Sequence, residues 1–181
     1  MISRNVISIV NQKGGVGKTT TTANLGTALA AIDKKILIID LDPQGNLSTG
    51  LGIAKDRKNT VYDLIVDDGL SIDKTILKTQ IPGLSIIPSS INLSGIEFEL
   101  ANDNNRNNRL INKIKKIKEA FDFIIIDCPP SLGVLTINSL VASSAVLVPL
   151  QCEFYALEGL AQLLRTVEKV KDNLNDKYEL W

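Results

Sequence analysis

Residues 11–20 read Asn-Gln-Lys-Gly-Gly-Val-Gly-Lys-Thr-Thr, and they directly follow the apolar run Val-Ile-Ser-Ile-Val at 6–10. A buried strand that enters a glycine-rich loop and continues into a helix is an arrangement that binds nucleotide phosphates. The glycines let backbone N–H groups approach the phosphate oxygens, and the helix N-terminus adds the positive end of its dipole. The stretch therefore predicts a phosphate-binding loop between a strand and a helix.

The loop departs from the ordinary form G-x-x-x-x-G-K-[ST] in two ways. Gly17, Lys18 and Thr19 fit that form, but Gln12 stands at the position of its first glycine. In addition, a second lysine, Lys13, lies five residues before Lys18. Because one lysine suffices to reach the β- and γ-phosphates, the charge of Lys13 suggests a further task.

The loop residues have separate predicted tasks. The Lys18 ammonium would neutralise the β- and γ-phosphate oxygens, and the Thr19 hydroxyl would bind Mg²⁺. The predicted nucleotide contacts are Lys13, Gly14, Gly15, Val16, Gly17, Lys18, Thr19 and Thr20.

Composition excludes several classes of function. The chain has 181 residues, of which 44% are hydrophobic, so it is large and apolar enough for a folded domain. Lys+Arg and Asp+Glu both number 20, which argues against a globally basic nucleic-acid binder. Histidine is absent, which excludes Ser-His-Asp, Cys-His and His-metal chemistry. No signal peptide or membrane-length apolar run is evident, so we expect a cytoplasmic protein.

Apolar runs alternate with helical patterns along the chain. Val/Ile/Leu-rich runs predict strands at 6–10, 36–39, 123–126 and 145–150, with shorter strands at 76–81 and 84–87. Apolar residues at helical spacing predict helices at 19–31, 110–121 and 156–170, with a short one at 91–100 and a polar loop at 102–108. This alternation predicts one α/β domain over 1–181, with a mostly parallel, twisted sheet and helices on both faces, in three α/β/α layers. Residues 178–181 resemble the start of a further strand, so the pattern predicts that the chain ends before its fold is complete.

Acidic residues follow two of the predicted strands. Asp40 and Asp42 follow the run at 36–39, and Asp127 follows the run at 123–126. Ligand chemistry in parallel sheets collects outside the carboxyl ends of the strands. Asp127 therefore suits an acidic partner of Mg²⁺, directly or through water. Of Asp40 and Asp42, one could hold the Mg²⁺ shell and the other orient an attacking water, although each of the three could instead form only turn or cap hydrogen bonds.

Four segments carry a family resemblance. They are Lys-Gly-Gly-Val-Gly-Lys-Thr-Thr at 13–20, Asp-Leu-Asp-Pro-Gln-Gly-Asn at 40–46, Ile-Asp-Cys-Pro-Pro-Ser at 126–131, and Gln-Cys-Glu-Phe-Tyr-Ala-Leu-Glu-Gly at 151–159. In this order and spacing the chain resembles the ParA/Soj partition ATPases, of the deviant Walker-A class of P-loop NTPases. The resemblance covers about 5–175, and it is to a member truncated at its C-terminus.

The resemblance implies roles for the candidate residues. It implies that Lys13 crosses to the partner's phosphates in an ATP-bound dimer, and that Asp42 positions the hydrolytic water. It implies that Thr19 holds Mg²⁺ and that Asp40 and Asp127 shape the metal shell. The implied ligands are ATP or ADP and Mg²⁺. With Lys18, the catalytic set is then Lys13, Lys18 and Asp42.

The resemblance also implies partners: a homodimer with ATP, nonspecific DNA of the nucleoid, and a ParB-type protein that stimulates an otherwise weak ATPase. No membrane partner is expected. A MinD-type division-site protein is the second interpretation, but its C-terminal amphipathic membrane helix is not evident. The chain could also be a nucleotide-binding relic without turnover or, least favoured, an iron–sulfur P-loop reductase using Cys128 and Cys152.

Two further features have structural and functional interpretations. A basic run comprises Arg106, Arg109, Lys113, Lys115, Lys116 and Lys118. It could contact DNA phosphates, but a solvated helix face is favoured because no aromatic residues interleave with it. Phe154 and Tyr155 suit either a partner surface or packing at a strand–helix junction.

Overall fold

The computed structural model describes residues 5–54, 56–151 and 156–174, with the side chains at 118 and 156–158 excepted. Cys152, Phe154, Tyr155 and the predicted strand at 178–181 lie outside the described residues. Within the described part, the chain alternates strands and helices as its apolar runs predict.

One sheet organises the described residues. Its strands are β1 (Val6–Ile9), β2 (Ile36–Asp40), β3 (Leu77–Lys78), β4 (Leu84–Ile87), β5 (Phe123–Asp127) and β6 (Ala145–Leu147). Their order across the sheet is β3-β4-β2-β5-β1-β6. All neighbours pair in parallel except β3 and β4, which are antiparallel. The mostly parallel sheet is thus confirmed, and β1, β2 and β5 lie near its centre.

Helices connect these strands. They are α1 (Lys18–Ala30), α2 (Asn46–Gly50), α3 (Val61–Val66), α4 (Ile96–Glu99), α5 (Arg109–Ile114), α6 (Val134–Ala142) and α7 (Ala156–Asn173). Short 3₁₀ turns occupy Ile72–Lys74, Ile91–Gly95, Arg106–Asn108 and Lys118–Ala120. No helix in the part of the chain that the structure describes is both long and apolar enough to cross a membrane.

Two apolar cores cover the two faces of the sheet. Alternate side chains of β2 point in opposite directions: Leu37 and Ile39 join one core, whereas Ile36 and Ile38 join the other. The first core contains residues of α3, α5, α6 and α7, and the second contains residues from the α1 and α2 side. This arrangement confirms the three-layer α/β/α fold, while a single domain over 1–181 stays a prediction.

Several predicted boundaries were wrong. The last strand ends at Leu147 instead of reaching 150, and the helix predicted for 110–121 ends at Ile114. Ile117 is nevertheless buried, in the turn between the end of α5 and the 3₁₀ turn Lys118–Ala120. The polar loop predicted at 102–108 contains the short turn Arg106–Asn108.

Helices α3 and α6 were not predicted. α6 is buried almost all round, so its sequence lacks the polar face that produces an amphipathic stripe. α3 has only six residues, but its start carries a capping box in which Thr60 and Asp63 satisfy each other's backbone N–H groups.

Candidate nucleotide-binding site

The glycine-rich loop joins β1 to α1 as an open cradle. Gly15 and Gly17 have φ angles of 74° and 91°, in the left-handed region that favours glycine. A Cβ atom placed on Gly14, Gly15 or Gly17 would meet no other atom within 4 Å. The space in front of the loop backbone is therefore clear, which fits close approach of a phosphate group to the backbone N–H groups.

Asn11 holds the start of this loop. Its buried side chain accepts a hydrogen bond from the Lys13 N–H at 2.9 Å and donates one to the Pro149 carbonyl at 2.8 Å. The loop is thereby tied to the segment that follows β6. Asn11 was not among the predicted site residues, although an Asn that bonds the backbone two residues on is a common turn signal.

Lys18, the first residue of α1, has its side chain buried inside the loop. Its ammonium Nζ donates to the Lys13 carbonyl at 3.0 Å. Burial lowers the pKa of Lys18, whereas the nearby carboxylates of Asp127 and Asp42 raise it. The Lys18 charge therefore lies where the predicted phosphate site and the acidic strand ends meet.

Asp127 ends β5 next to the start of α1. Its Oδ2 accepts from the Thr19 hydroxyl at 2.8 Å, and its Oδ1 accepts from the Thr22 hydroxyl at 3.2 Å. Burial raises the pKa of Asp127 to about 7, against the lowering effect of the Thr19 hydrogen bond. Because burial disfavours the ionised form of this carboxyl, a cation bound next to it would stabilise that form, which fits a metal-binding role. Thr22, one helical turn after Thr19, was not predicted.

The donor set near Asp127 suits Mg²⁺ better than a protein-caged metal. Within the described ranges, no group of three or more Cys, Asp or Glu side chains forms a metal cluster. Mg²⁺ is commonly bound through one or two protein oxygens, with phosphates and waters completing its octahedron. The Thr19 hydroxyl and the Asp127 carboxylate are two such oxygens at the mouth of the loop.

Asp40 lies beside Asp127, since the two residues are register partners in the β2–β5 pair. Its Oδ2 accepts from the Ser48 N–H at 2.9 Å and from the Ser48 hydroxyl at 2.6 Å, and its Oδ1 accepts from the Asp42 N–H at 3.2 Å. Burial raises the pKa of Asp40 to about 6, and the Ser48 hydrogen bonds oppose the shift. These contacts make Asp40 an anchor for the following loop, and a direct role in the metal shell stays a prediction.

Asp42 is half-buried on that loop and held from several directions. Its N–H donates a hydrogen bond to Asp40 Oδ1, and its Oδ1 accepts one from the Gln44 N–H at 2.9 Å. Its carbonyl accepts a hydrogen bond from the Ser89 hydroxyl. It is close enough to Lys18 to raise the pKa of that ammonium. Ser48 and Ser89 were not predicted as site residues. Ser48 lies in the short helix α2, which was not predicted, and Ser89 is brought to Asp42 by the pairing of β2 with β4.

The structure thus brings Lys18, Thr19, Asp42 and Asp127 together at one edge of the sheet. Of the other predicted nucleotide contacts, Val16 is buried and Thr20 is exposed on α1. Lys13 is half-buried, and both its N–H and its carbonyl are used inside the loop. Its contact with a partner's phosphates stays a prediction.

Cys128 lies behind the site and not in it. Its thiol is buried and contacts the Ser139 hydroxyl of α6 at 3.0 Å. Burial raises the pKa of this thiol to about 12. A buried, protonated thiol is a packing group and not a ready cluster ligand.

The predicted solvated basic face was wrong for Lys113 and Arg109. Lys113 is buried and donates to three backbone carbonyls, of Asp67, Asp68 and Leu70, at 2.7–3.0 Å. Arg109 forms salt bridges with Asp68 and Asp103. Both residues hold α5 against the end of α3, whereas Arg106, Lys115 and Lys116 are exposed.

Comparison with known proteins identifies ParA and Soj proteins as relatives of this chain. A family model described as an AAA domain matches residues 4–180. The chromosome partitioning protein ParA of Caulobacter vibrioides is 52% identical over 178 residues, covering 97% of this chain and 66% of that protein. The sporulation initiation inhibitor Soj of Bacillus subtilis is 54% identical over 171 residues, covering 94% and 67%. The chain spans about two thirds of the length of these curated relatives.

Solved structures share the fold over the same range. A Mycobacterium smegmatis protein described as cobyrinic acid a,c-diamide synthase, solved with ADP and magnesium, has a TM-score of 0.92 at 41% identity, covering 97% of this chain and 71% of that one. A plasmid partition protein of Borrelia burgdorferi has a TM-score of 0.82 at 29% identity, covering 92% and 74%. With the lysine-flanked loop, the Asp42 loop and Asp127 in place, and with relatives more than half identical to it, this chain belongs to the ParA/Soj family.

Proposed function

We propose that this chain binds Mg-ATP and hydrolyses it as the nucleotide switch of a chromosome or plasmid segregation system. The observation that carries the proposal is the meeting of Lys18, Thr19, Asp42 and Asp127 around an open glycine loop. In-line attack of water on a γ-phosphate requires such a set. The glycine loop would bind the phosphates, the Lys18 ammonium would neutralise their charge, and the oxygens of Thr19 and Asp127 would bind Mg²⁺. The Asp42 carboxylate would orient the water. Two neighbours in fold that were solved with magnesium and ADP or an ATP analogue support the same ligands.

Binding would redirect the hydrogen bonds of the loop. Lys18, which donates to the Lys13 carbonyl from inside the loop, would donate to phosphate oxygens instead. The Thr19 hydroxyl, which donates to Asp127, would turn an oxygen lone pair toward the metal. Bound Mg²⁺ would neutralise the charge of the phosphates and stabilise the ionised form of Asp127.

Asp42 would orient the attacking water. The loop that carries it is fixed through Asp40, Gln44 and Ser89, so its carboxylate has little freedom to turn away. A carboxylate held in this way accepts a hydrogen bond from water and directs the water oxygen at phosphorus. The rate gain therefore comes from position and charge, without a covalent intermediate.

The position of Lys13 supports a dimeric switch. Lys18 occupies the inside of the loop, while Lys13 lies at the loop's start, and we propose that the Lys13 ammonium acts across an interface in the ATP-bound dimer, as an arginine finger does. We propose a homodimer formed with ATP, which binds nonspecific DNA of the nucleoid in the cytoplasm. A ParB-type protein would stimulate the otherwise weak turnover and release the dimer.

Size-exclusion chromatography of the purified chain with ATP, ADP or no nucleotide tests the switch. An ATP-specific dimer is expected for the wild type and not for Lys13→Ala, which should still bind nucleotide as a monomer. Lys34→Ala is the matched control, because Lys34 is exposed beyond the opposite end of α1. A Lys13→Ala variant that dimerises with ATP would remove the trans role, and a wild type that is monomeric throughout would contradict the dimeric switch.

A further inference from the structure

Thr22 contacts the Asp127 carboxylate from inside the protein. The Thr22 hydroxyl lies 3.2 Å from Asp127 Oδ1, whereas the Thr19 hydroxyl donates to Oδ2 at 2.8 Å. Thr22 is 0% exposed and Asp127 is 1% exposed, but Thr19 is only half-buried. Two threonines therefore hold the two oxygens of one carboxylate, and the partner of Oδ1 is the one that solvent does not reach.

The start of α1 provides both hydroxyls. α1 begins at Lys18, so Thr19 is its second residue and Thr22 its fifth. Residues three apart in a helix lie on the same face, about one turn from each other. This face meets the end of β5, which is why the two threonines reach different oxygens of Asp127.

The backbone of Asp127 is fixed by its neighbours in the sheet. Asp127 pairs in register with Ile9 of β1 and with Asp40 of β2, and its carbonyl accepts from the Leu41 N–H at 3.0 Å. These contacts leave the side-chain torsions of Asp127 to be set by the groups around its carboxylate. The direction in which Oδ2 faces thus depends on what holds Oδ1.

The two threonines differ in what they can do when a cation is bound. Thr19 lies at the mouth of the loop, and under the proposed function its hydroxyl oxygen would bind Mg²⁺. Thr22 is buried, and its hydroxyl has one hydrogen to donate, with the Lys18 carbonyl at 3.0 Å as a second acceptor. Because an ionised carboxylate is the stronger acceptor, the Thr22 hydroxyl would remain on Asp127.

We infer that Thr22 is a positioning residue for the cation: its hydroxyl fixes Oδ1 of Asp127, so that Oδ2 faces Thr19 at the mouth of the loop, where Mg²⁺ would bind. The inference rests on the proposed function. Thr22 itself would touch neither the metal nor the nucleotide and would act through Asp127. Hydrogen-bond partners that orient metal-binding side chains typically contribute about 10–100-fold to metal affinity.

Thr22→Val tests this role, because valine has nearly the shape of threonine but no hydroxyl. ADP binding is measured by isothermal titration calorimetry with Mg²⁺ and in EDTA, and the ratio of the two affinities gives the contribution of the metal. This ratio should fall about tenfold or more in Thr22→Val. The affinity in EDTA should stay unchanged, because the glycine loop keeps its backbone N–H groups and Lys18.

Two further variants separate the hydroxyl from packing. Thr22→Ser keeps the hydroxyl and should keep the wild-type ratio. Thr27→Val makes the same change in the same helix, roughly 7 Å further along its axis, and should behave as wild type. Thr22→Ala also removes the hydroxyl, and it takes the place of Thr22→Val if that variant does not fold.

A double-mutant cycle with Asp127→Asn shows whether Thr22 acts through Asp127. Asp127→Asn should lower the ratio by itself, because it removes the charge that the metal binds. Adding Thr22→Val should then lower the ratio little further, since the carboxylate that Thr22 orients is already gone. Additive effects of the two substitutions would contradict the inference.

Other results would also overturn the inference. An unchanged ratio in Thr22→Val would do so, as would an equal loss in Thr22→Ser, which would assign the effect to packing. A loss of ADP affinity that is the same with Mg²⁺ and in EDTA would show damage to the loop and not to the metal position. A wild type that binds ADP no better with Mg²⁺ than in EDTA would contradict the proposed metal site as well, whereas a metal effect that survives Thr22→Val contradicts the role of Thr22 alone.

Discussion

Asp127 is buried beside Thr19 and Thr22, and its charge is costly without a cation. An unfolded Asp titrates near 3.8, whereas burial raises the pKa of folded Asp127 to about 7. Between these pH values the folded state binds more protons than the unfolded state. The free energy of unfolding of the nucleotide-free chain should therefore fall as pH rises from about 4 to about 7, by a few kcal/mol.

Urea unfolding across that pH range checks this expectation. Asp127→Asn should make the free energy of unfolding less dependent on pH, because the amide does not titrate. Asp40, with its pKa raised to about 6, should leave a smaller residual slope in the variant. Equal slopes in wild type and Asp127→Asn would show that this carboxyl is not the source.

Replacement of Asp42 should lower the rate of ATP turnover without weakening nucleotide binding. Asp42→Ala removes the water-orienting carboxylate, so the rate of phosphate release should fall about 100-fold or more. The variant should accumulate in the ATP-bound state, visible as a dimer that persists after ATP addition. Asp63→Ala, which removes a helix cap of α3, controls for general loss of structure. Turnover equal to wild type would exclude Asp42 from the mechanism.

The residues of the site differ in how far the sequence could predict them. Lys18, Thr19 and Asp127 were predictable because each lies inside a local pattern, either the loop or the end of an apolar strand. Ser89 was not, because its contact with Asp42 depends on which strands are neighbours in the sheet. Ser48 was not, because it contacts Asp40 from the short helix α2, which no apolar pattern predicts. Local spacing therefore predicted the chemical groups of the site, whereas the strand order and a short unpredicted helix provide the hydrogen bonds that hold them.

At the scale of elements, α1 packs on the sheet through a glycine. A Cβ atom on Gly26 would lie 2.6 Å from Ile38 Cδ1 and 3.4 Å from Leu84 Cδ1. Gly26→Ala should gain about 1 kcal/mol in helix propensity, but it should lose about 1–3 kcal/mol to overpacking against buried side chains. We expect net destabilisation and a displaced α1, measured as a lower urea midpoint and weaker nucleotide binding.

Gly50→Ala provides the comparison for α1. Gly50 is also helical, at the end of α2, but a Cβ atom there would meet nothing within 4 Å. This variant should be neutral or slightly more stable. If both substitutions gave the same change, the contact of α1 with Ile38 would not be the reason for glycine at position 26.

The elements also show why some helices were predictable and others were not. α1 follows a recognisable loop, and the α7 region has a clear apolar stripe. α6 carries buried Thr136, Asn138 and Ser139 among its apolar residues, so its pattern has neither a helical stripe nor a polar face. Its helical state depends on tertiary contacts, such as the Asn138 side chain accepting from the Leu110 N–H, that only the folded chain provides.

At the scale of the whole molecule, nucleotide should stabilise the fold by mass action. A ligand that binds only the folded state adds about 2.7 kcal/mol at a hundred times its Kd. Mg-ATP should therefore raise the unfolding midpoint of the wild type measurably. Lys18→Ala should abolish most of that increase, because it removes the buried ammonium from the loop. An equal increase in both proteins would place the nucleotide elsewhere.

The order of strands in the sheet has a consequence for synthesis. Thr19 and Asp127 meet although they are 108 residues apart in the chain. At roughly 5–20 residues per second on the ribosome, about 5–20 s pass between the emergence of the glycine loop and that of its acidic counterpart. Late in that interval the nascent chain has the residues of β1 to β4 but still lacks β5, which separates β1 from β2 in the finished sheet. Under the proposed function, ATP would stabilise only a chain in which β5 has joined the sheet, because Asp127 belongs to the site.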